Sequence, residues 1–342
     1  MGFVRFMEWR KSRDMHQLTI ACWGYDRTKA LETGRVKVEG CDVTFLDLEP
    51  EEMFHRALRF EEFDVTELSF SNYLTLTDRG TCPYVAIPVF PGRRFRHNAI
   101  YVNKRSGIRT PEDLRGRLVG TPEYQVTASV WIRGLLEDEY GVKASDIRWR
   151  AGGLFEANRT EKVEFRPPHG VELVRIEPGQ TLSRMLEDGG IDALIGPRAP
   201  AGFNAGNPDI VRLFPDFIER EKDYFRRTGI FPVMHLLAVH KKKVEALPWL
   251  PASLFKAFEA AKNMAIERLL EENEPMVTYP WIDGVVREAQ DFMGKDLWPY
   301  GLAENRKTID AFLRYHHAQG LSSRRLDPLE IFVPSTLERS RI

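Results

Sequence analysis

The hydrophobic pattern in the first part of the chain alternates between short apolar runs and amphipathic segments. Residues 18–23 and 43–46 are β-prone, and residues 50–57 predict a helix because a proline and two acids suit its first turn. Residues 63–74 form a strand that runs into a helix, with Ser69 as the predicted N-cap. This alternation of strand and helix predicts a parallel sheet with right-handed crossovers, and therefore an α/β fold.

The alternation continues through the middle of the chain. Residues 130–141 predict an amphipathic helix that ends at its glycine, and residues 152–170 are a polar excursion. Residues 230–239 are a long β-prone run, which we interpret as a return crossing between two lobes, and residues 254–269 predict a long helix. Further strands are predicted at residues 84–90, 99–103, 117–120, 171–176, 191–195 and 211–214.

The order of these elements predicts a chain that enters a second lobe once and returns to the first. We assign residues 15–104 and 236–342 to lobe 1 and residues 105–235 to lobe 2. Residues 1–14 are interpreted as an N-terminal extension, because the first recognisable strand follows Met15 at once. The predicted architecture therefore has two lobes, one of them discontinuous in sequence.

Polar side chains occur where predicted strands end and helices begin. They are Arg27, Glu67, Ser69, Thr121, Gln125 and Arg198. Ligands of open α/β sheets bind at this edge, where free helix N–H groups and the helix dipole favour an anion. We therefore predict that Arg27 and Arg198 bind a small anion, although surface charge is the alternative interpretation for any single arginine. The polar groups Ser69, Thr121 and Gln125 would supply neutral hydrogen bonds to the same anion.

A second concentration of charge lies at residues 93–97, beside a chain break. Arg94 and Arg96 would point to one side of an extended segment, and His97 follows them directly. His235 lies in the predicted crossing, where a buried ring needs a partner or a chemical role. A hydrogen-bonded core histidine is the alternative for both His97 and His235, and His316 and His317 are expected to be solvated.

Composition indicates a globular protein without a nucleic-acid or membrane partner. The chain has 342 residues, 43% of them hydrophobic and 29% charged, and a net charge of -1, so no basic excess suits nucleic acid. No apolar stretch has the length of a signal peptide core or a membrane span. The three cysteines lack metal-type spacing and suit free thiols in a reducing compartment. We therefore expect a cytoplasmic protein, and the sequence leaves a homo-oligomer open.

Several stretches together resemble the 4,5-dihydroxyphthalate decarboxylase family. They are Phe63-Asp-Val-Thr-Glu-Leu-Ser69, Phe90-Pro-Gly-Arg-Arg-Phe-Arg-His97, the unit at 186–196, Trp298-Pro-Tyr-Gly-Leu302, Asn305-Arg306 and Gln319-Gly-Leu321. The resemblance covers nearly everything from Met15 onward. It implies a fold like that of type II periplasmic binding proteins, with mixed sheets flanked by helices and a ligand cleft between the lobes. It also implies cofactor-independent decarboxylation in the cytoplasm.

The implied reaction, conversion of 4,5-dihydroxyphthalate to protocatechuate and CO2, needs a proton donor and a group that holds the second carboxylate. Glu67, His97 and His235 are the catalytic candidates, since a buried acid or a histidine can deliver a proton. The substrate-binding candidates are Arg27, Ser69, Arg94, Arg96, Thr121, Gln125 and Arg198, because planar guanidinium groups pair well with carboxylates. The predicted partner is thus a small aromatic carboxylate.

Alternatives from other functional classes remain at this point. A solute-binding protein would capture the same kind of anion with the same arginines and no turnover, and a related lyase would act on a different aromatic acid. No HxxxH, HExxH or paired-cysteine spacing supports a metal site, so we expect none. A site assembled in space from Glu67, His97, Asp192 or His235 stays open. Ser69 lacks the Gly-x-Ser-x-Gly pattern of a hydrolase nucleophile.

Overall fold

Two β-sheets organise the structure, a computed structural model that describes residues 15–159, 163, 165 and 167–338. The predicted extension at residues 1–14 lies outside the described residues. The first sheet has the strand order β2-β1-β3-β11-β4. Its strands are β1 (His16–Cys22), β2 (Cys41–Asp47), β3 (Val65–Ser69), β4 (Tyr84–Ile87) and β11 (His235–His240).

Strand β1 pairs in parallel with both β2 and β3, which confirms the predicted parallel arrangement. Cys22 stands opposite Asp47, and Ala21 stands opposite Thr66. The carboxyl ends of the three strands therefore meet at one edge. Strand β3 extends to Ser69, so Glu67 lies inside the strand rather than at its junction with the helix.

The second sheet is mixed and has the order β10-β5-β9-β6-β7-β8. Its strands are β5 (Ile100–Asn103), β6 (Leu118–Thr121), β7 (Arg148–Ala151), β8 (Glu172–Arg175), β9 (Ala193–Ile195) and β10 (Ile210–Arg212). Strand β5 is antiparallel to β9 and β10, whereas β6 is parallel to β7 and β9. The sequence-based lobe bounds, which stay a prediction, put β5 in lobe 1, and β7 was not predicted.

Helices lie between and after the strands, and the sequence pattern predicted those near residues 50–57, 70–74, 130–140 and 254–269. The helices are α1 (Lys29–Glu32), α2 (Pro50–Phe60), α3 (Phe70–Asp78), α4 (Thr127–Tyr140), α5 (Leu182–Asp188), α6 (Ala201–Asn204), α7 (Phe217–Thr228), α8 (Lys241–Ala246), α9 (Leu250–Leu269), α10 (Ile282–Met293) and α11 (Leu302–Ala318). Gly141 ends α4 in the left-handed conformation, at φ 63°. Within the described ranges, no helix is both long and apolar enough to cross a membrane.

The chain divides into two compact units. Unit 1 ends at Glu67 and resumes over Ala238–Trp298, whereas unit 2 takes Leu68–Leu237 and continues from Pro299. Strands β3 and β11 each contain a unit boundary.

The core of the units contains the cysteines and also one histidine that the sequence analysis expected to be solvated. All three cysteines, Cys22, Cys41 and Cys82, are buried thiols outside any disulfide. His316, expected to be solvated, is buried and hydrogen-bonds through its ring nitrogens to the Ser322 hydroxyl (3.2 Å) and the Ser71 carbonyl (3.1 Å). That expectation was wrong, because α11 packs its His316 face inward. Burial lowers the pKa of His316 to about 4.

Candidate functional site

In unit 1, the carboxyl ends of β1 and β3 bring polar side chains to one edge of the sheet. The register places Cys22, at the end of β1, beside Glu67 of β3. Gly24 follows β1 where space is short, since a Cβ there would lie 2.3 Å from Asp47 Oδ2. A side chain at this position would push the turn after β1 away from the edge. The sequence Gly24-Tyr25-Asp26-Arg27 therefore leaves the strand close to Glu67.

The Glu67 carboxylate is fully buried and accepts hydrogen bonds on both oxygens. Oε2 accepts from the Cys22 thiol (3.2 Å) and the Trp23 backbone N–H (3.1 Å), while Oε1 accepts from the Tyr25 hydroxyl (2.8 Å). An ionised carboxylate is an acceptor only, so it satisfies every one of these donors. The arrangement therefore favours the carboxylate form of Glu67, which is held by hydrogen bonds on both oxygens.

The donors around Glu67 stay protonated. Burial, reinforced by the nearby Glu67 charge, raises the pKa of the Cys22 thiol well above its ordinary value. The same causes raise the pKa of the Tyr25 hydroxyl. Removing a proton from either group would place a second negative charge beside the first in a low-dielectric environment. Glu67 is thus the group of this cluster that carries the negative charge.

Arg27 lies between two aromatic rings in unit 1. Its guanidinium carbon is 3.9 Å from the centroid of the Tyr25 ring and 4.2 Å from that of the Trp298 ring. One nitrogen also pairs with Asp26 Oδ1 at 3.2 Å, and the side chain is 14% exposed. Stacking fixes the plane of a guanidinium while its edge keeps the N–H donors that recognise carboxylates. Arg27 is therefore a pre-oriented cation next to the ring that contacts Glu67.

In unit 2, the second sheet gathers its polar residues at the carboxyl ends of β6 and β9. Ile100, which opens β5, stands opposite Ile195, which closes β9. The residues before β5, including Arg96, thus lie at the same edge as the residue after β9, and Gly196 N–H donates to the Ala99 carbonyl (3.3 Å). This is the edge at which open α/β sheets bind ligands.

Arg96 is a buried cation at this edge. Its side chain is 6% exposed, and its Nε donates to the Met234 sulfur at 3.2 Å. Burial, together with the neighbouring charge of Arg94, lowers the pKa of Arg96 to about 9. No ion pair to Arg96 occurs among the described residues. A cation kept from water without a paired acid is a physical reason to expect an anionic ligand.

Glu221 of α7 is an acidic neighbour of Arg96 that the sequence analysis missed. Its Oε1 accepts from the Asn98 backbone N–H at 3.2 Å, and the residue is 9% exposed. Burial raises the pKa of Glu221 to about 7, although the charges of Arg94 and Arg96 act in the opposite direction. Its charge therefore changes near neutral pH, close to the buried guanidinium.

The N-termini of α3 and α4 meet in unit 2. Ser69 takes the predicted N-cap position of α3, yet its hydroxyl makes no capping bond and instead lies 3.0 Å from the Thr127 hydroxyl oxygen. Thr127 Oγ1 also accepts from the Ser71 backbone N–H (3.1 Å). Thr127, the first residue of α4, thus accepts a hydrogen bond from a backbone N–H in the first turn of α3. A capping side chain at Ser69 would accept from an N–H of the same turn. Ser69 is therefore the N-cap residue as predicted, but its side chain makes no capping bond, because Thr127, 58 residues away in sequence, engages it instead.

The other predicted binding residues of unit 2 have different surroundings. The Thr121 hydroxyl hydrogen-bonds with the Ser129 hydroxyl (2.9 Å) and donates to the Glu123 carbonyl (3.1 Å), so it supports the turn into α4. The Gln125 side-chain amide donates to the Val163 carbonyl. Arg94 and Arg198 are exposed, whereas Arg96 is buried. Arg96 is therefore the predicted binding residue whose environment most favours an anion.

The two predicted catalytic histidines also lie in unit 2. His97 is 2% exposed, with its ring 5.5 Å from both the Phe214 and Tyr224 rings, and burial lowers its pKa to about 4. It is therefore neutral at pH 7 and packed among aromatic rings. His235 covers Gly92, where a Cβ would lie 2.8 Å from His235 Nδ1. This contact fits a packing role for His235 as well.

No group of three or more His, Cys, Asp and Glu side chains in the described part of the chain has a metal-binding arrangement. Asp192, one of the residues for which a metal role was left open, accepts from the Leu118 backbone N–H at 2.9 Å. That bond joins β6 to the start of β9, which is a structural role.

Comparison with known proteins identifies the family. The chain is 48% identical over 326 residues to 4,5-dihydroxyphthalate decarboxylase from Comamonas testosteroni, covering 95% of this chain and 99% of that protein. It is 44% identical over 209 residues to 4,5-dihydroxyphthalate decarboxylase from Pseudomonas putida, covering 61% of this chain and 81% of that protein. The chain belongs to the 4,5-dihydroxyphthalate decarboxylase family.

Other comparisons concern the fold of this 4,5-dihydroxyphthalate decarboxylase family member. A family described as "ABC transporter, phosphonate, periplasmic substrate-binding protein" matches residues 40–162. Among solved structures, the periplasmic aliphatic sulphonate-binding protein SsuA from Escherichia coli aligns with a TM-score of 0.53 at 12% identity, covering 94% of this chain and 99% of that one. A protein from Bordetella bronchiseptica RB50 aligns with a TM-score of 0.54 at 20% identity, covering 94% and 96%. The fold is therefore periplasmic-binding-protein-like, as the sequence predicted.

The sequence analysis did not predict four residues of the candidate site. They are Tyr25, Thr127, Glu221 and Trp298. Tyr25 belongs to the same turn as Arg27, and Trp298 belongs to the stretch Trp298-Pro-Tyr-Gly-Leu302 that carried the resemblance, so both had a sequence signal. Thr127 and Glu221 had none, because their partners are distant in sequence.

Proposed function

We propose that this protein decarboxylates 4,5-dihydroxyphthalate to protocatechuate and CO2. The observation that carries the proposal is 48% identity, over 95% of the chain, to the 4,5-dihydroxyphthalate decarboxylase of Comamonas testosteroni. The unit 1 cluster supports it, because a buried carboxylate surrounded by neutral donors is a group suited to moving protons. The protein is accordingly a carboxy-lyase.

The reaction needs one group to take a proton and one to give a proton. Loss of the proton from the hydroxyl para to the leaving carboxylate leaves an electron pair on oxygen, and that density moves through the ring to the carbon bearing the carboxylate. This carbon takes a proton and forms a C–H bond. The C–C bond then breaks, its electron pair restores the aromatic ring, CO2 leaves, and the phenolate regains a proton. The net reaction consumes one proton.

Glu67 is the proposed acid–base group. As a carboxylate it accepts the phenol proton, and once protonated it has a proton to return. Its oxygens are covered by their donors, and Tyr25 is the half-buried partner that links them to the surface of unit 1. We therefore assign Tyr25 to carry the hydrogen bond through which Glu67 exchanges its proton. His97 and His235 stay proposed alternatives for proton transfer.

Carboxylate binding is assigned to two arginines on independent grounds. Arg27 is held in plane by the Tyr25 and Trp298 rings, and Arg96 is a buried cation without an ion pair in the described residues. Ser69 and Thr127, at the N-termini of α3 and α4, are proposed to give the substrate neutral hydrogen bonds. Thr121 and Gln125 stay proposed for the same role. Arg94 and Arg198, both exposed, are proposed to add positive charge.

The direct test incubates purified protein with 4,5-dihydroxyphthalate and measures CO2 and protocatechuate. The assay is run without added metal and repeated with a chelator. We expect equal amounts of both products in each condition. Absence of product from folded protein that binds the acid would refute the proposed reaction.

Glu67→Gln separates an enzyme from a solute-binding protein. The amide keeps the size of the side chain but cannot exchange a proton, so we expect turnover to fall by about 10³-fold or more while the acid still binds, in keeping with the usual size of acid–base contributions. Calorimetric titration with phthalate measures the binding. The alternative of a solute-binding protein, which shares the fold, predicts the same binding with no turnover in the unsubstituted protein.

A cytoplasmic location and a homo-oligomeric state complete the proposal. Three buried thiols, none of them in a disulfide, support a reducing compartment. The exposed rings of Tyr279 and Trp281, which are 46% and 69% accessible, offer an apolar surface to a second copy. Sedimentation velocity over a range of protein concentrations measures the oligomeric state, and Trp281→Ser should lower any dimer fraction.

A further inference from the structure

Lys262 is a lysine in the interior of unit 1. Its side chain is 1% exposed on the inward face of α9, and Nζ pairs with Asp296 Oδ2 at 2.5 Å. Asp296 itself is 37% exposed, so the pair joins the core to the surface. Apolar residues of similar size usually stabilise such a position at least as well as a buried ion pair does. A charge retained here therefore calls for a reason other than stability.

Asp296 connects the lysine to the backbone of the segment that follows. Its second oxygen, Oδ1, accepts a hydrogen bond from the Trp298 backbone N–H at 3.0 Å. A carboxylate that accepts from an ammonium on one oxygen and from a backbone N–H on the other cannot rotate without losing one of them. Lys262 thus fixes the orientation of Asp296, and Asp296 fixes the start of the chain segment at Trp298.

Trp298 transmits this position to the candidate site. Its ring lies 4.2 Å from the Arg27 guanidinium carbon, on which the Tyr25 ring also stacks at 3.9 Å. Tyr25 in turn donates its hydroxyl hydrogen to Glu67. A continuous series of contacts therefore runs from α9, through Asp296 and Trp298, to the arginine and the carboxylate at the sheet edge.

We propose that Lys262 and Asp296 are positioning residues that set the place of the Arg27 guanidinium through the Trp298 ring. This inference rests on the proposed role of Arg27 in binding a substrate carboxylate. It assigns a function to the stretch that begins at Trp298. Because the guanidinium holds the carboxylate before and during the reaction, its displacement raises KM more than it lowers kcat.

The test compares two substitutions with a matched control on the same helix. Lys262→Met keeps the length of the side chain without its charge, and Asp296→Asn keeps an oxygen for Trp298 but weakens the pairing with Lys262. We expect each to weaken phthalate binding and to raise KM by about fivefold or more, with kcat changed less than about twofold, a size typical of coupled neighbours. Lys256→Met, at an exposed position of α9, should change neither quantity.

A double-mutant cycle distinguishes positioning from a general loss of structure. In an Arg27→Gln background the guanidinium is absent, so Lys262→Met and Asp296→Asn should no longer alter phthalate affinity. Undiminished effects in that background, or unchanged affinity in the single variants, would overturn the inference. Asp296→Asn, changed at a half-exposed residue, keeps the test valid if Lys262→Met fails to fold.

Phthalate lacks the hydroxyl groups that release electrons in the reaction, so its binding is measured without turnover. If the unsubstituted protein binds phthalate but forms no protocatechuate, the proposed function fails while the cycle still reports on Arg27. If protocatechuate forms and the cycle shows no coupling, only the positioning role fails.

Discussion

Arg96 presents the clearest electrostatic imbalance at the scale of single residues. Taking a guanidinium out of water costs several kcal/mol unless a paired group offsets it. Arg96 is 6% exposed, and the described residues supply it with no ion pair. A carboxylate bound beside Arg96 would supply the missing pair, so binding at this position would also stabilise the buried guanidinium.

We predict that Arg96→Gln raises KM for 4,5-dihydroxyphthalate by about 30- to 100-fold, since a charge-assisted hydrogen bond contributes roughly 2–3 kcal/mol. The melting temperature should stay level or rise, because the variant no longer buries an unpaired charge. Steady-state kinetics and calorimetry measure both effects. Arg109→Gln, at an exposed position, serves as the control. An unchanged KM in Arg96→Gln would remove Arg96 from the binding site.

Tyr25→Phe tests the hydrogen bond to Glu67. The substitution removes the donor that lies 2.8 Å from Oε1 and keeps the ring that stacks on Arg27. We expect kcat to fall by about 10- to 100-fold with little change in KM, because proton exchange rather than binding is impaired. Tyr279→Phe, at an exposed ring, is the matched control. A rise in KM alone would assign Tyr25 to binding.

At the scale of elements, local sequence signals were sufficient to predict most strands and helices. They were insufficient to predict which elements contact one another. The succession of strand and helix at residues 63–74 was predicted correctly, as were the start of α2 and the end of α4, because periodicity and the residues that begin or end helices are local signals. Strand β7 was missed because two arginines in Arg148–Ala151 mask its buried Trp149 and Ala151. The capping of α3 by Thr127 depends on tertiary packing, which no local signal reports.

Thr127→Val tests the meeting of the two helix N-termini. The valine keeps the shape of the side chain but leaves the Ser71 N–H and the Ser69 hydroxyl without their partner. The free energy of unfolding should fall by about 1–3 kcal/mol, the usual cost of an unsatisfied buried donor. Urea denaturation measures it. Thr127→Ser, which keeps the hydroxyl, should lose much less, and equal losses would point to packing instead.

At the scale of the whole molecule, the fold class follows from the alternating pattern, but the membership of each sheet does not. Strand β5 lies between β10 and β9 and not beside β4, its neighbour in sequence. Likewise Arg96 could be chosen as a candidate because it lies near a predicted strand. Its neighbour Glu221 could not be chosen in this way, because it lies more than a hundred residues later in the chain. The sequence therefore offered candidates such as Arg27 near strand ends, and it missed those such as Glu221 that only tertiary contacts bring beside a candidate.

Buried histidines make the stability of the protein depend on pH. Burial lowers the pKa of His97 and of His316 to about 4, so both stay neutral in the folded state while the unfolded chain binds protons below about pH 6.5. Their contribution is complete above that pH and declines as the pH falls toward 4. Glu221, with a pKa raised to about 7, opposes this trend, because the folded state keeps its proton longer than the unfolded chain does.

His97→Phe isolates one of these contributions. Compared with the unsubstituted protein, the variant should gain roughly 2 kcal/mol of stability between pH 7 and pH 5, since each pKa unit corresponds to about 1.4 kcal/mol. Urea denaturation at the two pH values measures the difference. His317→Phe, at a residue of the same type with a more accessible ring, is the comparison. A pH-independent difference would show that His97 is not neutral in the folded state.

The rate at which the buried thiols react with a reagent reports local opening of the protein. Alkylating reagents attack the thiolate, and burial both shields Cys22 and keeps it protonated. Because Cys22 donates to Glu67, the reagent reaches its sulfur only when that hydrogen-bonded cluster separates. The rate at which mass spectrometry detects label on Cys22, relative to Cys82, therefore measures how often the cluster around the Glu67 carboxylate opens, and a bound ligand that holds the cluster closed should slow it.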